Sequence, residues 1–255
     1  MNTRPYILSE SNWKHVKETR FDVAVLPWGA TEAHNYHLPY ATDVIECDYV
    51  AAESARRAWD AGAKVIVLPT VPFGVQSGQL DIPLCLHINP STQLNILHDI
   101  ALTIQNQGIR KLVILNGHGG NDFKSIIREL QPQLKIFLCA VNWWKTVDQT
   151  KYFDEPGDHA GELETSMIMH VAPGLVLSLD QAGAGTEKKF RIKGLTDGTA
   201  WAPRQWRKIS DDTGVGNPQG AAAKKGEIFS AAVAEKIGKF IEDLADADID
   251  HLYES

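Results

Sequence analysis

Short apolar runs alternate with stretches of helical period along the first part of this chain. Residues 21–26 (FDVAVL) read as a buried strand, and 64–68 (KVIVL), closed by Pro69, as a second. Residues 111–115 (KLVIL) read as a third strand and 135–141 (KIFLCAV) as a fourth. Between the first two, 44–61 places Ile45, Tyr49, Val50 and Ala52 at helical intervals, with Gly62 as a stop signal. Residues 91–108 form the next helical pattern, with Ser91 as the expected N-cap and Gly108 as its end. A further helix is expected over 122–130. Such alternation predicts βαβ crossovers and an α/β fold whose mostly parallel sheet is covered on both faces.

Beyond Asn142 the pattern changes. Residues 162–171 read as a helix, 183–220 as loops or short edge strands rich in Gly, Thr, Asp and Lys, and 219–245 as a C-terminal helix. No repeat, low-complexity tract or linker interrupts the chain, so a single domain over 1–255 is expected. At 255 residues, with 44% hydrophobic and 22% charged residues, a large core can be buried. The net charge of −7 argues against a nucleic-acid partner, and no apolar stretch is long enough for a membrane. The first residues lack the apolar core of a signal peptide, and the three cysteines have neither metal-type nor disulfide-type spacing. A cytoplasmic location is the expectation.

The candidate chemistry lies where the first and third strands end. After the first come Glu32 and His34, two residues apart and so on one face of an extended segment, followed by Asp43 just before a helix. After the third comes the run 116–121 (NGHGGN), which presents His118 beside bare backbone. Open α/β sheets bind ligands at strand C-termini, so neighbouring strands would bring two carboxylates and two imidazoles together. That donor set suits Zn²⁺, Mn²⁺ or Fe²⁺. Structural readings stand beside it: Asp43 as a helix cap, and the glycines as a tight strand-to-helix turn. A third cluster, Asp158, His159, Glu162 and Glu164, crowds a helix start, where first-turn acids are favoured by the helix dipole alone. Trp143 and Trp144 fit a substrate wall and core aromatics equally well.

Taken together, GATEAH…LPYATD, LNGHGGN, HAGELETS and GVGNPQGAAAKKG resemble the creatininase (creatinine amidohydrolase) family, in order and spacing from Leu26 to about Gly226. The resemblance implies a three-layer α/β/α fold, a dinuclear metal centre, and a homohexamer acting on a small-molecule substrate. The implied reaction is hydrolysis of a C–N amide bond, in a cyclic amide or formamide, by a metal-bridged hydroxide. Carried over by motif, Glu32 and His118 hold one metal, His34 the other, and Asp43 bridges them; the metals are zinc, manganese or iron. His159 and Glu164 then sit at the reacting centre, and Ser77 lines the substrate pocket, where Trp143 and Trp144 are the candidate wall residues from the reading above. Creatinine-hydrolysing members carry Tyr-Glu where this chain has Gly119 and Gly120, and that Glu is a ligand. Glu164, or else Glu162, is expected to replace it. Glu155 stands where those members have a tryptophan, and 76–90 lacks their Glu-His and Pro-Gly-Thr, so the chemistry carries over better than creatinine does. A C–C hydrolase opening a cyclic ketone, such as an oxidised inositol, uses the same ligands. A non-catalytic sugar- or nucleotide-binding protein is the remaining alternative, and metal content separates it from both enzymes. No role is assigned to Trp201 or Trp206.

Overall fold

The computed structural model describes residues 3–254. Among these residues four strands form one parallel sheet: β1 Val23–Trp28, β2 Val65–Val67, β3 Lys111–Asn116 and β4 Phe137–Asn142. Their order is β2-β1-β3-β4. Every residue of β1, β2 and β3 is buried, which is why the runs read as continuously apolar rather than alternating.

Among the described residues eight α-helices accompany the sheet: α1 Trp13–Glu18, α2 Thr42–Asp60, α3 Pro90–Asn106, α4 Phe123–Leu130, α5 Glu162–Val171, α6 Lys193–Thr196, α7 Trp206–Ile209 and α8 Ala223–Asp246. Successive strand residues face opposite layers. Val23, Val25, Val113 and Leu115 pack with α2, α5 and α8. Ala24, Leu26, Leu112 and Ile114 pack with α3 and α4 on the other side. The three-layer α/β/α architecture follows directly.

Several boundaries differ from the sequence expectation. Helix α3 begins at Pro90, with Asn89 rather than Ser91 as the extended capping residue; proline's fixed φ suits a first helical position. Helix α2 begins at Thr42, so Asp43 lies in its first turn rather than before it. Asp122 caps α4 by accepting from the Lys124 amide at 3.1 Å. Gly62 and Gly108 do terminate their helices, with φ of 111° and 85°. Residues 183–220 form no sheet strand among the described residues; α6 and α7 are their regular elements.

The strand order decides where a site can form. From β1 the chain runs outward to β2, then returns past β1 to add β3 on its other side. The connections leaving β1 and β3 therefore diverge to opposite layers, and a crevice opens between their C-terminal ends. Trp28 and Asn116, the last residues of those strands, are register partners.

Candidate metal centre

Both strand-end motifs open into that crevice. Behind β1 the chain doubles back through a His34–Leu38 bridge and the Glu32 amide bond to Tyr40 O, 3.1 Å, which turns Glu32 and His34 inward. The first turn of α2 brings Asp43 beneath them, and the turn after β3 brings His118. The start of α5, tied to Val215 through His159, delivers His159 and Glu164. Glu32, His34, Asp43, His118 and His159 are all buried, and Glu164 is partly so.

Each imidazole has one nitrogen on a backbone carbonyl and the other aimed into the cluster. His34 Nδ1 is 3.1 Å from Glu32 O, His118 Nε2 is 3.0 Å from Val75 O, and His159 Nε2 is 2.8 Å from Ala33 O. A carbonyl only accepts, so these nitrogens carry the hydrogen and the opposite ones are available as donors to a cation. His34 Nε2 faces Asp43 Oδ1 at 2.9 Å and Glu164 Oε2 at 4.0 Å. His118 Nδ1 faces Glu32 Oε1 at 2.9 Å and Asp43 Oδ2 at 3.1 Å. Asp43 thus presents one oxygen to each imidazole. His159 Nδ1 lies 3.8 Å from Glu32 Oε1, and its ring stacks on His34 at 4.1 Å.

Among the described residues three donor sets result, each with ligand atoms within 4.8 Å of one another: Glu32, Asp43 and His118; His34, Asp43 and Glu164; and Glu32, His34 and His159. The first two share Asp43. His34 Nε2 and Asp43 Oδ2 are buried without completing a hydrogen bond of good geometry, although His34 Nε2 lies 2.9 Å from Asp43 Oδ1 and Asp43 Oδ2 lies 3.1 Å from His118 Nδ1. Buried polar atoms left so are costly, and a cation among them would satisfy both. Oxygen and imidazole donors without a thiolate fit zinc, manganese or iron.

A family model described as Creatininase, creatinine amidohydrolase, matches residues 9–241. This chain belongs to the creatininase family. A provisionally named creatinine amidohydrolase from Bacteroides fragilis NCTC 9343 superposes with a TM-score of 0.93 at 45% identity, covering 100% of both chains. A manganese form of creatininase superposes at 0.76 with 21% identity, covering 95% of this chain and 99% of its own, and supports the fold. Among curated relatives, the creatinine amidohydrolase of Pseudomonas putida is 27% identical over 60% of this chain. A mycofactocin precursor peptide peptidase of Mycobacterium ulcerans is 27% identical over 63%, and a 3-dehydro-scyllo-inosose hydrolase of Thermotoga maritima 25% over 60%. These matches span 66%, 62% and 51% of the three relatives' own lengths. The named activities are all hydrolytic.

The position that separates this chain from the creatinine-hydrolysing pattern has a steric cause. A Cβ at Gly120 would stand 2.1 Å from Val75 O and 2.5 Å from His118 Nε2, so this turn admits no glutamate there. Of the two substitutes expected, Glu162 is committed elsewhere. Its carboxylate pairs with Lys225 Nζ and accepts from the Glu155 amide at 2.8 Å. Glu164 is the one that faces His34 and Asp43, steadied by the Ala160 amide.

Burial works against every charge in the cluster, and the short imidazole–carboxylate contacts override it. His34 would be lowered by burial, but Asp43, then Glu164 and Glu32, raise it to about 10. His118 is also raised well above its ordinary value, by Glu32 and Asp43 against the same burial. Burial would raise Asp43, yet His34 and His118 hold it below the usual carboxylate range. Glu164 differs: burial pushes its carboxyl up to about 7 although His34 pulls the other way. Burial, followed by the charge on His34, lowers His159 to about 4, so its ring is neutral at pH 7.

The centre opens into a cavity of about 510 Å³, a volume suited to a small ligand. Trp143 and Trp144 both line it; Trp143 is also core, against Phe229. Ser77 does not. It is exposed at the start of a short 3-10 turn, Ser77–Gln79, and the residue of that turn which reaches the site is Gln79. Its Nε2 donates to Glu32 Oε2, and its Oε1 accepts from Cys85 Sγ at 3.1 Å. Sequence reasoning missed three more residues. Trp206 sets its ring edge-on to His159 at 4.7 Å, and Arg204 stacks on Trp206 at 4.8 Å. Glu46, on α2 behind Asp43, has both carboxylate oxygens buried and unpartnered, and burial followed by the nearby Glu164 and Asp43 raises it well above the usual range. No motif marks any of these; they reach the site through tertiary packing. Trp201 is exposed and lies outside the cavity lining.

Proposed function

We propose that this chain is a metal-dependent amidohydrolase that cleaves the C–N bond of an amide, cyclic amide or formamide. The observation that carries the reading is Asp43, whose two carboxylate oxygens each face a different inward imidazole. On this reading Glu32 and His118 hold one divalent ion, His34 and Glu164 the other, and Asp43 is common to both. Zinc or manganese fits, as does iron. When bound, such a pair supplies an activated water and polarises the carbonyl under attack.

The chain's own groups do the rest. His159 is neutral with Nε2–H held by Ala33 O, so its Nδ1 faces the cluster as a proton acceptor. It takes a proton as the water attacks and returns it to the leaving nitrogen, the general acid–base role suited to an imidazole. Trp206 fixes that ring from the side, and Gln79 holds the outer oxygen of Glu32. Trp143 and Trp144 wall the cavity where the substrate lies.

A second reading keeps every ligand and changes the bond: opening of a cyclic ketone at a C–C bond, favoured by the Thermotoga relative's name. The proposal extends to a homohexamer by family resemblance, with light scattering in solution as its check. No helix among the described residues is long and apolar enough to cross a membrane.

The deciding experiment is elemental analysis of purified protein beside an activity screen of cyclic amides, formamides and cyclic ketones. Two ions per chain, falling toward one in His34→Ala, with turnover of an amide, is the expected result. Absence of bound metal after reconstitution with Zn²⁺ and Mn²⁺ overturns it.

A further inference from the structure

The cavity has two unlike halves. The ligand cluster occupies the half above β1 and β3. The other half lies above β3 and β4, whose last residues, Asn116 and Asn142, are register partners joined by a 2.9 Å side-chain bond. That pairing holds the turn after β3 against the turn after β4, and each contributes a lysine to the cavity wall: Lys124 from the first turn of α4 and Lys145 from the 3-10 turn after β4.

Apart from the two lysines, the charged side chains of this wall are engaged with protein groups. Asp158 is paired with Arg204 at 2.6 Å, and Arg204 also meets Glu187 at 3.4 Å. Asp122 caps α4 through the Lys124 amide. Lys124 and Lys145 have no ion-pair partner among the described residues, and Lys145 Nζ stands 5.8 Å over the Trp144 ring. Two cationic side chains thus border a cavity in a chain whose net charge is −7. Gly119, next to His118 and part of the same cavity lining, is exposed, and an added Cβ there would meet nothing within 4 Å.

We infer that the substrate is an amide carrying an anionic group, a carboxylate or phosphate, which Lys145 and Lys124 receive while the amide lies at the ligand cluster. This rests on the hydrolase reading and names its substrate class. Ammonium groups act as point charges toward either anion, so the geometry selects charge rather than shape.

The test uses matched probes on the full-length, metal-loaded protein, with binding by calorimetry and hydrolysis measured side by side. One pair is N-formylglycine and N-formylglycinamide; the other is O-phospho-N-formylethanolamine and N-formylethanolamine. At least one anionic member is expected to bind about tenfold tighter than its neutral partner, in line with a charge-assisted contact. Added salt should erode the preference. Lys145→Glu with Lys124→Glu should abolish it, Lys145→Arg should retain it, and the metal content of all variants should be unchanged. Comparing the two pairs tells carboxylate from phosphate. Equal binding of charged and neutral members, a preference that survives charge reversal, or no saturable binding of either anion overturns the inference. Lysine-dependent anion binding without hydrolysis would instead sink the hydrolase reading and leave the anion subsite standing.

Discussion

Asp43→Asn is the most informative single change, because it keeps the shape of the side chain and removes the charge shared by the two imidazoles. In the metal-free protein that charge raises the neighbouring rings, and His34 stands at about 10. A group raised in the folded state contributes stability that is complete below its unfolded value, about 6.5, and is lost as pH climbs through the folded value. Over that interval the His34 contribution falls from about 5 kcal/mol toward zero, and at pH 7.5 about 3 kcal/mol remains. Asp43 is the largest of the groups raising it, so the substitution forfeits most of this. Breaking a buried ion pair by removing one partner costs a similar ~3–5 kcal/mol. For a chain of this size about 3 kcal/mol lowers Tm by roughly 6–12 °C. The assay is thermal unfolding of chelator-treated wild type and variant from pH 6.5 to 10. The gap should be widest at the acid end and close with rising pH. A gap that is constant or widens with pH would refute the ion-pair account. With metal restored, the variant should hold at most one ion per chain by elemental analysis; two ions at wild-type affinity would remove Asp43 from its proposed place between the sites.

Gln79→Leu removes the donor that holds the outer oxygen of Glu32. Metal affinity, read by chelator competition, should fall about 10–100-fold, as for other partners behind a ligand; an unchanged affinity would make Gln79 a bystander. His159→Ala should leave two ions per chain while lowering kcat about 10²–10⁴-fold, and loss of metal instead would make His159 a ligand. Glu46→Gln replaces a carboxyl that burial keeps protonated with a neutral side chain of the same shape. Denaturant unfolding should therefore move by less than about 1 kcal/mol, and a loss of several would show that Glu46 is charged in the folded protein.

What could be read along the chain, and what could not, divides by the range of the interactions involved. β1 and β3 are buried on both faces, so each is an unbroken apolar run, and their C-terminal motifs were placed as soon as the strands were. The order β2-β1-β3-β4 then made two distant motifs neighbours. The 3-10 turn Ser77–Gln79 shows the opposite case. Its orientation is set by contacts with Cys85, by Glu32 across the crevice, and by the segment leading into α7, whose approach is so close that a Cβ on Gly78 would stand 2.0 Å from Arg204 O. Only Cys85 among those partners is local, so family resemblance pointed to Ser77 while packing turned Gln79 inward. Glu162 and Glu164 make the same point within one helix turn. Two residues apart on a helix, they project about 200° from each other, so they could not both serve the cluster. Which one did was decided by Lys225, on a helix sixty residues further along, whose ammonium engages Glu162 and leaves Glu164 to face His34. A candidate ligand displaced from its family position is thus recoverable only when the charge that occupies its rival is known. Here that charge belongs to α8, and reversing it by Lys225→Glu should destabilise the start of α5 while leaving the donor atoms of Glu32, Asp43 and His118 in place.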